Sequence, residues 1–151
     1  AFLGAANLLP TRVLATDVSE EALAVARENA EALGAVVEFA TGDLWAAVHG
    51  AERFDLIVSN PPYVPAGELP GLPREVRREP CIALDGGEDG LAVLRRIVAG
   101  APARLAPGGV LCLEMHESHL EELPRLCREA AHPAASSCVR DARLKPSRSN
   151  Q

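Results

Sequence analysis

Aromatic residues are scarce in this chain: one tryptophan, one tyrosine and three phenylalanines in 151 residues. Basic charge is in deficit as well, with 15 Lys and Arg against 21 Asp and Glu, a formal charge of -6 and a pI near 5.2. A broad nucleic-acid surface needs positive charge and stacking rings, so that class is disfavoured. No apolar run approaches the ~18 residues a membrane-spanning helix needs. No C-x-x-C pair joins Cys81, Cys112, Cys127 and Cys138. Scattered thiols of this kind are expected to be the reduced cysteines of a cytosolic (cytoplasmic) protein. No internal repeat or low-complexity tract divides the chain, and its length suits one domain.

Short apolar runs alternate with helical patterns. Residues 12–17 form a run that ends in Asp17. Ser19 is placed to cap a following helix, Glu20 and Glu21 complement its dipole, and Leu23, Ala26, Ala30 and Leu33 recur at helical spacing before Gly34. Val36 to Ala40 reads as a second strand, and residues 44–48 as a short helical segment. Phe54 to Ser59 reads as a third strand. A proline- and glycine-rich stretch, 60–88, forms a long shaped loop. Asp89 to Leu105 is expected to be helical, with Leu91, Leu94, Val98, Ala101 and Leu105 on one face and Pro102 either kinking it or starting a new turn. Pro107-Gly108-Gly109 turns into a fourth strand over Val110 to Met115, and Ser118 to Glu121 fits a capping box opening a last helix. Alternating strands and helices, with strands apolar on both faces, predict an open α/β fold with a parallel sheet covered on both sides.

In such folds ligands sit at the carboxyl ends of the strands. Asp17, Asp43 and Asn60 each follow an apolar strand. A carboxylate at the position of Asp17 suits two ribose hydroxyls, and it also suits a plain helix cap. Asp43 could accept from the exocyclic amine of adenine while Leu44 packs on the ring, or serve only in a turn. The segment Asn60-Pro61-Pro62-Tyr63 is more specific. Its prolines fix φ and remove two backbone donors, leaving nearby carbonyls free to accept. An amide side chain and a free carbonyl can hold both hydrogens of a planar NH2 group, and a tyrosine ring can pack on its face. Such a clamp would aid a poor nitrogen nucleophile by positioning it and stabilising its growing positive charge.

With "NPPYVP", "REVRREP", "ALDGGEDGL" and "LAPGGVLCLE", residues 8–130 resemble the HemK-type protein-(glutamine-N5) methyltransferases. These are class I, Rossmann-like enzymes that use S-adenosyl-L-methionine. The resemblance implies methylation of the glutamine in the Gly-Gly-Gln motif of class 1 peptide chain release factors, a step in translation termination. It assigns the ribose to Asp17, the adenine to Asp43 and Leu44, and the glutamine amide to Asn60 and the Pro61 carbonyl. Pro62 completes the turn and Tyr63 packs against the amide. No metal and no covalent intermediate are implied. Relative to the family, the first strand and its Gly-rich turn are expected to be missing, Ala1 to Leu9 reading as the end of a helix. The chain is thus expected to be a partial catalytic domain, clear over 1–130 and irregular over 131–151.

Alternatives stand beside this reading: glutamine methylation of a ribosomal protein, adenine N6 methylation of nucleic acid, or a remnant that only binds a partner. "DGGEDG" at 85–90 lacks an oxygen ligand at Gly87 for a calcium loop and reads as a turn. His116 and His119 lack a second ligand pair for zinc. His116 stands where the family usually has a small residue. Arg74, Arg77 and Arg78 read as a solvated charged face.

Overall fold

A computed structural model describes residues 12–130, arranged as two compact units divided between Arg53 and Phe54. The expectations for Ala1 to Leu9, Cys138 and the 131–151 tail lie outside the described residues.

In the first unit, β1 (Leu14–Asp17) pairs in parallel with β2 (Glu38–Thr41), Leu14 facing Glu38 and Asp17 facing Thr41. Helix α1 (Glu20–Ala32) joins them. Ser19 caps it, its hydroxyl accepting from the Ala22 N–H at 3.2 Å. Leu23 and Ala30 are the buried positions of α1, whereas Leu33 is its exposed C-cap. Gly34 follows in the left-handed region, φ 62°, and ends the helix. The second strand starts two residues later than the apolar pattern suggests. Its first ladder bond runs from the Glu38 N–H to the Val13 carbonyl at 2.9 Å, and Val36 is exposed ahead of it. Arg12 bonds Glu38 and Glu52, both at 2.6 Å, a surface network of small energetic weight.

In the second unit, β3 (Phe54–Ser59) pairs in parallel with β4 (Leu105–Leu113). Short 3₁₀ turns at Ala66–Gly71 and Val76–Arg78 and the one-turn helix α2 (Cys81–Leu84) shape the loop between β3 and helix α3 (Ala92–Arg104). Strand β4 begins at Leu105, inside the stretch read as helix and turn. The register shifts between Phe54 and Leu56, so Pro107-Gly108-Gly109 is a bulge within the ladder. Gly108 has φ 80°, and a β-carbon on Gly109 would lie 2.8 Å from the Phe54 carbonyl oxygen. The bulge therefore needs its glycines.

Leu91, Leu94 and Val98 meet Leu123 of α4 (Glu122–Ala130) in the core of this unit. Leu111 and Leu113 of β4 pack against that core, while Leu56, Val58 and Val110 on the alternate face are about half exposed. Helices α3 and α4 cover the face of this strand pair that carries Leu111 and Leu113. The capping-box expectation at Ser118 is corrected. His116 caps a 3₁₀ turn over Glu117–His119, its ring accepting from the Ser118 N–H, and α4 starts only at Glu122. Pro124 consequently falls in the first turn of α4, where proline is tolerated.

Candidate functional site

Two groups of the expected site residues occur, one in each unit. In the first unit, Asp17 ends β1 and Asp43 lies two residues beyond its register partner Thr41. Asp17 Oδ1 accepts from the Ser19 N–H at 2.8 Å, so the capping contact is present. The Asp17 carbonyl accepts from the Gly42 N–H at 2.9 Å, tying the two strand ends together. Gly42 has no room for a side chain, since a β-carbon would stand 2.9 Å from backbone atoms of Ala47. Asp43 then opens the 3₁₀ turn Leu44–Ala47, and Leu44 itself sits at φ 51°. A left-handed leucine costs about 1–2 kcal/mol, and such strain concentrates at ligand sites.

One neighbour of this group carried no sequence signal beyond helix-dipole placement. Glu20 accepts from the Thr41 hydroxyl and pairs with Arg27 at 3.1 Å, and Arg27 lies 5.4 Å from the Phe39 ring centroid. The Thr41 and Arg27 contacts hold the Glu20 carboxyl below its ordinary pKa. Glu20 thereby joins the start of α1 to the end of β2. The acceptor set fits the group the resemblance implies: two carboxylates, acceptors only, at adjoining strand ends suit a nucleoside that offers hydroxyls and an amine.

In the second unit, Asn60 is exposed immediately after β3, Pro61 and Val64 are buried, and Pro62 and Tyr63 are half-buried. The loop is fixed by the "DGGEDG" segment. Val64 donates to the Leu84 carbonyl at 3.0 Å and accepts from the Gly86 N–H at 2.8 Å, while Ala66 donates to Gly87 at 2.9 Å. A β-carbon on Gly86 would meet Tyr63 Cα at 2.8 Å, and one on Gly90 would meet the Tyr63 carbonyl oxygen at 2.4 Å. Asp85 and Asp89 accept from the N–H groups of Gly87 and Leu91 at 2.8 and 3.1 Å, so this segment is a pair of aspartate turns leading into α3. Arg95 also grips Asp89 and holds its carboxyl down at about 2.

Two more residues join this group, neither of them expected beside Tyr63. Glu114 accepts from the Tyr63 hydroxyl at 3.0 Å, and burial followed by that carboxylate pushes the phenol up from its ordinary pKa. An acid directly behind an apolar strand is the same signal that marked Asp17. His119 is 3% exposed, with Nε2 3.0 Å from the Asp89 carbonyl oxygen, and it packs against Gly90. Its ring lies edge-on to His116, centroids 5.9 Å apart. Arg77 lines a cavity of about 240 Å³ with Leu69, Leu72, Glu79 and Leu84. No group of three or more metal-ligating side chains occurs among the described residues.

Comparison with known proteins fits these features. The methyltransferase small domain family matches residues 3–69. The chain is 47% identical over 129 residues to the release factor glutamine methyltransferase of Moorella thermoacetica, covering 83% of this chain and 45% of that protein. It is 43% identical over 134 residues to the ribosomal protein uL3 glutamine methyltransferase of Bradyrhizobium diazoefficiens, covering 83% and 42%. The crystal structure of a ribosomal protein L11 methylase from Lactobacillus delbrueckii subsp. bulgaricus shares the fold, with TM-score 0.55 and 22% identity over 80% of this chain and 48% of that one. The chain spans about half the length of the relatives it matches.

The alternating strands and helices, with the methyltransferase small domain match, define a Rossmann-like class I methyltransferase fold. Within that class, the chain is similar, over 83% and 87% of its length, to release factor glutamine methyltransferases of the HemK type.

Proposed function

We propose that this chain serves the S-adenosyl-L-methionine-dependent methylation of a glutamine side-chain amide nitrogen, in the Gly-Gly-Gln motif of class 1 peptide chain release factors. The observation that carries this reading is the braced Asn60-Pro61-Pro62-Tyr63 segment at the carboxyl end of β3. S-adenosyl-L-methionine, when bound, would supply a sulfonium methyl; the sulfur would keep the C–S electron pair, and the amide nitrogen would release a proton to water. Asp17 would hold its ribose hydroxyls. Asp43 would accept from its adenine amine, and Leu44 would pack on the base. The Asn60 side chain and the Pro61 carbonyl accept the two amide hydrogens, and Pro62 keeps the turn rigid. Tyr63 offers its ring face to the amide plane. Fixing the nitrogen and matching the charge that develops on it lower the barrier without metal or covalent catalysis. Release factors act on ribosomes, which places this activity in the cytoplasm.

A second reading, methylation of a glutamine in a ribosomal protein, draws on the uL3-directed relative. Transfer of labelled methyl from S-adenosylmethionine to purified release factor and to purified uL3 tests both. Label confined to the release factor glutamine supports the first reading, and label confined to uL3 replaces it with the second.

A further inference from the structure

Tyr63 is the only tyrosine of the chain, and it is held at three points. Its backbone rests on Gly86 and Gly90, where no β-carbon could fit. Its side chain packs against the core of Leu91, Leu94, Val98 and Leu123. Its hydroxyl donates to Glu114 Oε1 at 3.0 Å. Glu114 is itself fixed by the strand pair. Ser59 faces Leu113 in register, and the Glu114 N–H donates to the Ser59 carbonyl at 3.0 Å, one residue before Asn60. The carboxylate that receives Tyr63 thus extends from the same ladder that presents Asn60.

A carboxylate can only accept, so the Tyr63 O–H must point at Glu114 and cannot be offered to a substrate carbonyl. What remains for the substrate is the ring face. Its angle is set at one end by the backbone and at the other by Glu114.

We propose that Glu114 is a positioning residue for the amide clamp, holding the Tyr63 hydroxyl so that the ring keeps one orientation toward the amide gripped at Asn60. This rests on the glutamine-methylation reading. The negative charge is secondary to the acceptor. Glu114→Gln, whose amide oxygen can still accept, therefore preserves the arrangement, whereas Glu114→Leu and Tyr63→Phe each break it.

The test uses the full chain, S-adenosylmethionine and a Gly-Gly-Gln peptide as probes. Glu114→Leu lowers kcat by ~10-fold, an effect expected for lost orientation, with the cofactor dissociation constant unchanged. Tyr63→Phe lowers it by the same factor, the double variant by no more, and Glu114→Gln stays near the parent. Unchanged kcat in Glu114→Leu, or losses that multiply in the double variant, overturns the proposal. A second readout is independent of turnover. The single phenol is titrated by its ultraviolet absorbance, and removing Glu114 lowers the midpoint toward that of an ordinary tyrosine. A parent chain that methylates no glutamine peptide defeats the functional reading alone, and a phenol midpoint unmoved in Glu114→Leu defeats this inference by itself.

Discussion

A β-carbon on Gly90 would stand 2.4 Å from the Tyr63 carbonyl oxygen and 2.9 Å from the imidazole of His119. The glycine is wedged between the proline-rich loop and a buried histidine, in a left-handed conformation with φ 74°. Gly90→Ala must displace the loop backbone and strain its own. We expect a loss of ~1–3 kcal/mol in thermal or denaturant unfolding, and at least a ~10-fold fall in turnover. Wild-type turnover in this variant would show that the loop does not need this brace.

Asn60 sits exposed just beyond the end of β3. Asn60→Ala should leave the unfolding midpoint nearly unchanged and cut turnover by ~100-fold or more, with S-adenosylmethionine affinity retained. Calorimetry and initial rates on the same preparation separate the two effects. Parent-like turnover would remove Asn60 from the amide clamp.

Asp17 has a structural and a proposed binding duty, and two substitutions divide them. Asp17→Ala removes the acceptor for the Ser19 N–H, so it should cost ~1 kcal/mol of stability as well as cofactor affinity. Asp17→Asn keeps an acceptor for that turn and removes the charge. It should therefore stay folded as the parent does while binding S-adenosylmethionine more weakly. Equal affinity in both variants would end the ribose role.

The Asp89 carboxyl is held at about 2 by hydrogen bonds from Arg95 and from the Leu91 N–H. A carboxylate with a depressed folded pKa contributes stability above its unfolded value, near 4, and that contribution fades as pH falls toward the folded value. Both side chains are largely exposed, so the contribution is small and salt-sensitive. In Arg95→Gln the loss of stability on acidification between about pH 4 and 2 should be shallower than in the parent, as measured by unfolding at several pH values and low salt. Identical slopes would mean that Arg95 does not set this carboxyl.

Much of the frame is legible in the sequence because local chemistry decides it. Ser19 with Glu20 and Glu21 marks the start of α1, Gly34 its end, and the short run 54–59, closed by Asn60-Pro61-Pro62, has the length and the stop of a strand. The start of β4 escapes because Pro107-Gly108-Gly109 carries every mark of a turn, and only its fit against Phe54 makes it a bulge. Ser118 has the pattern of a capping box, yet His116 two residues earlier takes the Ser118 N–H first. Among the candidate residues, Asp17, Asp43 and Asn60 stand out because each follows an apolar run. Glu114 and His119 act through partners 51 and 30 residues away, and no periodicity reports such contacts. Leu44 reads as an ordinary apolar residue, and only the backbone reveals its left-handed conformation.

The central claim is that the segment Asn60-Pro61-Pro62-Tyr63 presents a glutamine amide for methylation. Fragment mass spectrometry of release factor incubated with the chain and S-adenosylmethionine tests it most directly. We expect one added methyl on the side-chain nitrogen of the Gly-Gly-Gln glutamine, lost with Asn60→Ala. Methyl on another residue type, or on this glutamine at an undiminished rate with Asn60→Ala, would contradict it.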